Sequence, residues 1–162
     1  MNYIDYIMEM TQKLIAIPSP SGFTHNAARF LCEELTKLGY VPKLTNKGSV
    51  LVDLGGEDAE NAVLLAAHID TLGAMVTQIK ENGRLKLTNI GGLNPNNTEA
   101  ENCHIHTRDG KIYDATFQLT DASVHVNGNY SEEKRTYDSM EALIDEEVSS
   151  KADVEALGIM AG

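Results

Sequence analysis

His68 and Asp70 are separated by one residue within an apolar stretch, Val63–Val76, which reads VLLAAHIDTLGAMV. Its first five residues are all apolar, and such a run predicts a strand buried on both faces. Because side chains alternate along a strand, His68 and Asp70 share one face. An imidazole there can bind a transition metal, and the carboxylate can orient the ring or handle a proton. The same spacing also fits a strand-end histidine that only hydrogen-bonds a turn aspartate, so both interpretations stay open.

The remaining histidines offer weaker candidates for a metal site. His104 and His106 alternate along another predicted strand, so they share a face and could chelate a metal, although a polar strand face is the favoured interpretation. His25 lies in the first turn of a predicted helix, and His125 carries no signal. Because a catalytic zinc needs about three protein ligands and an open position, His68 supplies one ligand of an incomplete set.

Several classes of chemistry find no motif in the chain. The sequence holds no Gly-x-Ser-x-Gly elbow, no Walker loop and no Gly-x-Gly-x-x-Gly fingerprint. Cys32 and Cys103 have no histidine partner suggested by the sequence, and Cys32 falls on the apolar side of a predicted helix. The net charge of −11 argues against binding to nucleic acid or to an anionic membrane surface.

The length and composition predict a folded, soluble protein. With 162 residues the chain can form one domain or two small ones, and its 42% apolar content is enough for a core. The N-terminal residues lack a basic leader, and no apolar run approaches the roughly 20 residues that span a bilayer. The two cysteines imply no disulfide framework, so we expect a cytoplasmic location.

The first half of the chain has the pattern of an α/β domain. A rigid turn, Pro18–Gly22, separates two predicted helices, of which the second has Thr24 as its N-cap and Gly39 after its end. A predicted hairpin then leads to the buried strand. The expected helices are Tyr3–Ile17 and His25–Leu38, and the expected hairpin strands are Tyr40–Thr45 and Ser49–Leu54.

The pattern of apolar residues changes after Val76, because residues 78–140 show no convincing helical period. This stretch predicts a small, barrel-like all-β module that interrupts the α/β domain. Its expected strands are Thr77–Lys80, Leu85–Thr88, His104–Thr107, Lys111–Gln118 and Ser123–Val126. Further strands are expected at Met140–Ile144 and Ile159–Ala161, with a helix between them that starts in a capping-box-like Ser150–Asp153 and ends at Gly158.

Three segments follow from this pattern: residues 1–76 in the α/β domain, residues 77–140 in the β-module, and residues 141–162 returning to the α/β domain. One buried strand and two helices form a small core, and the chain stops beside an apolar segment that resembles the start of a strand. We therefore expect the α/β domain to be cut short. The charged runs Glu132–Arg135 and Asp145–Glu147 are interpreted as solvated surface.

An ordered set of motifs resembles the M42 family of dinuclear metallo-aminopeptidases. The resemblance spans essentially the whole chain, and the set is much more specific than any single motif. Its members are Ile17–Gly22 (IPSPSG), Ala66–Val76 (AAHIDTLGAMV), Gly83–Leu85 (GRL), Ile90–Pro95 (IGGLNP), and the stretch from Leu143–Asp145 (LID) to Leu157–Ile159 (LGI).

The resemblance implies a partial phosphorylase/hydrolase-like α/β peptidase domain interrupted by a β-barrel-like dimerisation domain. It implies that His68 is a ligand of one metal and that Asp70 is the catalytic carboxylate beside it. The intact enzyme would hold two zinc or cobalt ions, remove N-terminal residues from peptides, and assemble through dimers into large shells. The remaining ligands and the catalytic glutamate would lie outside this chain, which we therefore expect to be inert by itself.

Two alternatives stay open from the sequence. One is a short, non-catalytic self-association module that keeps the β-module. The other is an M20-like metallopeptidase, because Thr71 follows Asp70 where M42 members often have glutamate. The all-β texture of residues 78–140 argues against the M20-like alternative, which would place an α/β insertion later in the chain.

Overall fold

The computed structural model describes residues 2–58 and 60–162. The chain forms two compact units, of which the first ends at Gly73 and the second begins at Ala74. None of the helices among these described residues has the length and apolar character needed to cross a membrane.

Two helices dominate the first unit. Helix α1 spans Tyr3–Ile15 and helix α2 spans His25–Lys37, so both predicted helices are confirmed, with ends one or two residues earlier than expected. The Asn2 side chain accepts a hydrogen bond from the Ile4 amide and caps α1. Thr24 occupies the N-cap position of α2 as predicted, but its side chain makes no capping hydrogen bond there.

The predicted hairpin is present but shorter than expected. Strands β1 (Lys43–Leu44) and β2 (Val50–Leu51) pair antiparallel. The Thr45 amide donates to the Ser49 carbonyl at 2.9 Å and closes the turn, in which Gly48 has a φ of 81°. A positive φ of this size suits glycine because it has no Cβ.

The prediction of a buried strand at residues 63–67 is wrong for the described chain. These residues are not in a strand, and the side chains of Val63, Leu64 and Leu65 are 84%, 79% and 79% exposed. A strand forms only where a neighbour completes its backbone hydrogen bonds, and no described segment pairs with this one. The nearest strand along the chain, β3, starts at Gly73 and runs to Ile79.

A five-stranded sheet forms the second unit. Its order is β3-β4-β7-β6-β5, and the pairs β4–β7, β7–β6 and β6–β5 are antiparallel. Within residues 78–140 the structure has strands, turns and one short 3₁₀ turn at Pro95–Asn97, as the missing helical period predicted. The strands after β3 are β4 (Leu85–Ile90), β5 (Glu101–His106), β6 (Ile112–Leu119) and β7 (Met140–Ile144).

One face of this sheet forms the hydrophobic core. Alternate residues of β6, namely Ala115, Phe117 and Leu119, are buried and contribute to one apolar cluster. Helix α3 (Lys151–Ala156) adds Val154 to the same cluster. Its predicted capping box is confirmed, because the Ser150 side chain accepts from the Asp153 amide and Asp153 accepts from the Ser150 amide.

Three sequence-based expectations in the second unit are wrong. Residues 123–126 form a turn, in which the Val126 amide donates a hydrogen bond to the Ser123 carbonyl. Residues 159–161 are not in a strand. Arg135 is not solvated surface, since its side chain is 13% exposed and binds both carboxylate oxygens of Glu99. Composition cannot distinguish a solvated cation from one with a carboxylate partner 36 residues away.

The strand Met140–Ile144 lies inside this sheet, between β4 and β6. The division of the chain at residues 76/77 and 140/141 stays a prediction.

Candidate metal-ligand site

His68 and Asp70 are in direct contact, although the segment that carries them is not the strand from which their shared face was expected. His68 Nδ1 lies 2.9 Å from Asp70 Oδ1, and the two side chains are 86% and 40% exposed. An ionised carboxylate can only accept, so a neutral His68 ring in this contact carries its proton on Nδ1. The lone pair of Nε2 is then available, which is the form of imidazole that binds a metal.

The second oxygen of Asp70 has its own donor. Ser21 Oγ donates a hydrogen bond to Asp70 Oδ2 at 2.6 Å. This bond and then the one from His68 lower the pKa of the Asp70 carboxyl, because both stabilise its charged form. Asp70 is therefore an anion at neutral pH, with one oxygen directed to each partner.

The turn that carries Ser21 is attached to the segment that carries Asp70. Ser19 is fully buried, its carbonyl accepts from the Thr71 amide at 2.9 Å, and its hydroxyl donates to the Ile69 carbonyl at 3.0 Å. Pro20 and Thr71 form an isolated parallel bridge. These contacts hold residues 69–71 in place. The preceding residues, 63–67, have no such support because they form no strand.

The part played by the serines was missed from the sequence. The sequence of Pro18–Gly22 predicts a rigid turn and no contact with the His68–Asp70 segment. The one available signal was that both segments carry motifs of the same family resemblance. A separation of about 50 residues leaves no periodicity or spacing from which to infer that they touch.

One of the two strand histidines forms a second imidazole–carboxylate contact. His104 Nδ1 lies 2.7 Å from Asp114 Oδ1, across the antiparallel pair β5–β6. The pKa of His106 is lowered by partial burial and then by the nearby His104. His104 thus pairs with a carboxylate on the strand face, and His25 is an exposed residue edge-on to Phe23.

The described residues can supply one ligand of a metal centre. Within residues 2–58 and 60–162, no three His, Cys, Asp or Glu side chains are grouped so that they could hold a metal ion. His68, with Nδ1 engaged and the ring exposed, has the donor chemistry of a single ligand. A complete catalytic centre needs further ligands from elsewhere.

Comparison with known proteins places the chain among the peptidases. The family model described as M42 glutamyl aminopeptidase matches residues 48–162. YhfE of Bacillus subtilis (strain 168), provisionally named an aminopeptidase, is 41% identical over 156 residues, which cover 96% of this chain. The chain belongs to the M42 family of aminopeptidases, as its motifs indicated, and the M20-like alternative gains no support.

Solved structures show the same fold. A TET aminopeptidase from the marine sediment archaeon Thaumarchaeota archaeon SCGC AB-539-E09 superposes with a TM-score of 0.85 at 21% identity, over 99% of this chain and 44% of its own. The TET1 peptidase of Pyrococcus horikoshii, which can assemble into a tetrahedron or a large octahedral shell, gives 0.76 at 23% identity, over 95% of this chain and 44% of its own. The present chain spans about 45% of the length of the Bacillus relative.

Proposed function

We propose that this chain is the N-terminal part of a metal-dependent aminopeptidase that removes N-terminal residues from peptides. The observation that carries the proposal is the His68–Asp70 contact, with Nδ1 engaged and Nε2 available, in a chain of the M42 family. In this proposal His68 binds one of two divalent metal ions, zinc or cobalt. The other ligands belong to the part of the relatives' length that this chain does not span.

Each of the two side chains has a defined task in this site. His68 offers Nε2 to the metal, while Asp70 accepts a hydrogen bond from Nδ1–H and so holds the ring in this orientation. Because the pKa of Asp70 is lowered, its carboxylate stays charged at neutral pH and remains a hydrogen-bond acceptor for the imidazole. The bound metals would activate a water molecule and polarise the scissile carbonyl.

The chain alone is expected to be inactive, since a single imidazole does not form a metal centre. The test is hydrolysis of aminoacyl-p-nitroanilides by the purified chain in the presence of zinc or cobalt, with His68→Ala as the matched control. We expect no metal-dependent hydrolysis from either protein. Metal-dependent turnover that His68→Ala abolishes would show that the chain completes its own centre, and would overturn the proposal that the other ligands lie outside this chain.

We also propose that residues 77–140 mediate self-association, as a dimer that builds a larger shell in the intact protein. The first support for this proposal is that the Pyrococcus horikoshii TET1 peptidase, which has the same fold, can assemble into shells. The second is that Ile112, Val124 and Val126 are exposed apolar residues of this segment. Burial of exposed apolar side chains in an interface removes them from water, so we expect these residues to lie in the contact.

Light scattering after size-exclusion chromatography tests this second proposal. We expect a dimer for the wild type and a monomer for the double variant Val124→Asp, Val126→Asp. Met160→Asp changes an exposed residue outside the segment and should leave the dimer intact. A monomeric wild type, or equal disruption by Met160→Asp, would contradict the assignment.

For the intact protein we propose a cytoplasmic location, which the free thiols of Cys32 and Cys103 support.

A further inference from the structure

We propose that Ser21 is a positioning residue for the His68 imidazole. Its hydroxyl holds the Asp70 carboxylate against His68 Nδ1, and this keeps Nε2 of His68 free of its proton. The inference rests on the proposed roles of His68 and Asp70, but it concerns a state of the imidazole that can be measured without any activity.

The exposure of the pair explains why a third residue is needed. The His68 and Asp70 side chains are 86% and 40% exposed, and contacts between exposed charged groups are weak because water competes for them. Ser21 Oγ donates to the oxygen of Asp70 that does not face His68. The distance of 2.6 Å is that of a hydrogen bond to a charged acceptor, which is stronger than one between neutral groups.

The serine can act as a fixed donor because its turn is attached independently of the hydroxyl. Pro18 and Pro20 restrict the backbone on both sides of Ser19. Ser19 is fully buried and bonded to the Ile69 carbonyl and the Thr71 amide. Little conformational entropy is then lost when the Ser21 hydroxyl meets Asp70, so the bond can restrain the carboxylate effectively.

The use of both Asp70 oxygens couples the serine to the ring. Oδ2 binds Ser21 while Oδ1 binds His68 Nδ1, so a rotation of the carboxylate away from the ring would also break the serine bond. A free neutral imidazole in water prefers the proton on Nε2. The observed contact favours the opposite tautomer, and it is this tautomer that can bind a metal through Nε2.

The test is the tautomer of His68, read from the imidazole ¹⁵N shifts of the full chain at a pH at which its histidines are neutral. The spectrum of His68→Ala identifies the His68 signals. We expect Nδ1–H to dominate in the wild type, and Ser21→Ala to lower the ratio of the Nδ1–H to the Nε2–H form by roughly threefold to tenfold. Ser21→Thr keeps a hydroxyl and should restore the wild-type ratio.

Two controls separate this role from a general disturbance. Ser49→Ala removes a serine from the β1–β2 turn of the same unit and should not change the ratio. The His104 ring, which also contacts an aspartate, should keep its shifts in every variant. An unchanged ratio in Ser21→Ala would overturn the inference, and so would an equal change in Ser21→Ala and Ser21→Thr. Neither result bears on the hydrolysis test. Metal-dependent turnover by the chain alone would overturn the proposal that its metal centre is incomplete, and the tautomer result would still stand.

Discussion

A Cβ atom placed on Gly73 would lie 2.6 Å from Cβ of Pro20, a distance at which two carbon atoms overlap. The Pro18–Gly22 turn can therefore sit against residues 69–73 only because residue 73 has no side chain. This close approach accompanies the Ser19–Thr71 and Ser21–Asp70 hydrogen bonds. Gly73 is thus part of the arrangement that brings the turn to the His68–Asp70 segment.

Gly73→Ala should loosen this attachment and destabilise the first unit by about 1–3 kcal/mol, the usual cost of forcing an extra carbon into a packed site. Amide hydrogen exchange at Thr71, whose N–H donates to the Ser19 carbonyl, should accelerate accordingly. Gly56→Ala is the matched control, because a Cβ at residue 56 meets nothing within 4 Å. Equal exchange rates in the two variants would show that the Ser19–Thr71 hydrogen bond does not depend on the close approach of Gly73 and Pro20.

Ala100 has a φ of 61°, in the left-handed region where a Cβ atom crowds the backbone. Ala100→Gly should therefore raise the free energy of unfolding of the second unit by about 1 kcal/mol, since glycine adopts this conformation without the steric cost. Ala152→Gly, in helix α3, should lower it by a similar amount through the loss of helix propensity. Urea denaturation of both variants measures the two effects, and a shift of the same sign in both would contradict the prediction.

Glu141 has a fully buried side chain, and its two oxygens bind Lys80 Nζ at 2.6 Å and the Arg84 guanidinium. Glu141→Gln keeps the shape but removes the charge that both cations face. We expect a loss of about 1–3 kcal/mol in the free energy of unfolding. Glu147→Gln changes an exposed glutamate and should shift it by less than about 0.5 kcal/mol. Similar values for the two variants, by urea denaturation, would contradict a stabilising role of the buried carboxylate.

Glu99 should make the second unit sensitive to acid. The Arg135 guanidinium, and then the Tyr130 hydroxyl, lower the pKa of the Glu99 carboxyl in the folded chain. The unfolded chain therefore takes up the Glu99 proton first as the pH falls. The stabilisation is present above the ordinary glutamate pKa and is lost as the pH falls through the lowered, folded value.

Glu99→Gln should flatten this acid dependence, because an amide cannot titrate. Urea denaturation between neutral pH and about pH 3 measures it, over a range that brackets the ordinary glutamate pKa. Glu132→Gln, in the exposed part of the charged run, should keep the wild-type slope. If Glu99→Gln and the wild type lose stability in parallel, the Glu99–Arg135 pair is not the acid-sensitive contact.

The local features of this fold could be predicted because local physics determines them. Helices α1 and α2, the capping box at Ser150–Asp153 and the β5–β6 hairpin follow from periodicity, capping and turn residues close together in sequence. His68 and Asp70 do meet as neighbours in sequence, but without the strand from which their shared face was inferred. These elements were expected with the correct type, and the ends of the helices and strands differ from the expected ones by up to three residues.

The failures concern features that depend on distant partners. The exposed Val63–Leu65 run has the composition of a buried strand, but composition cannot say whether a pairing strand is available. The Ser21–Asp70 and Glu99–Arg135 contacts join residues 49 and 36 positions apart, and neither periodicity nor spacing in the sequence predicts such pairs. Ile159 is buried without being in a strand, so its apolar character indicated burial and not secondary structure.

The most direct test of the central claim is a chimera in which this chain replaces the corresponding part of the Bacillus subtilis relative, to which it is 41% identical. The claim is that His68 provides one ligand of a metal centre whose other ligands lie beyond this chain. We predict zinc- or cobalt-dependent release of N-terminal residues by the chimera, and loss of that activity in the chimera with His68→Ala. An active chimera whose metal-dependent turnover is unchanged by His68→Ala would contradict the account.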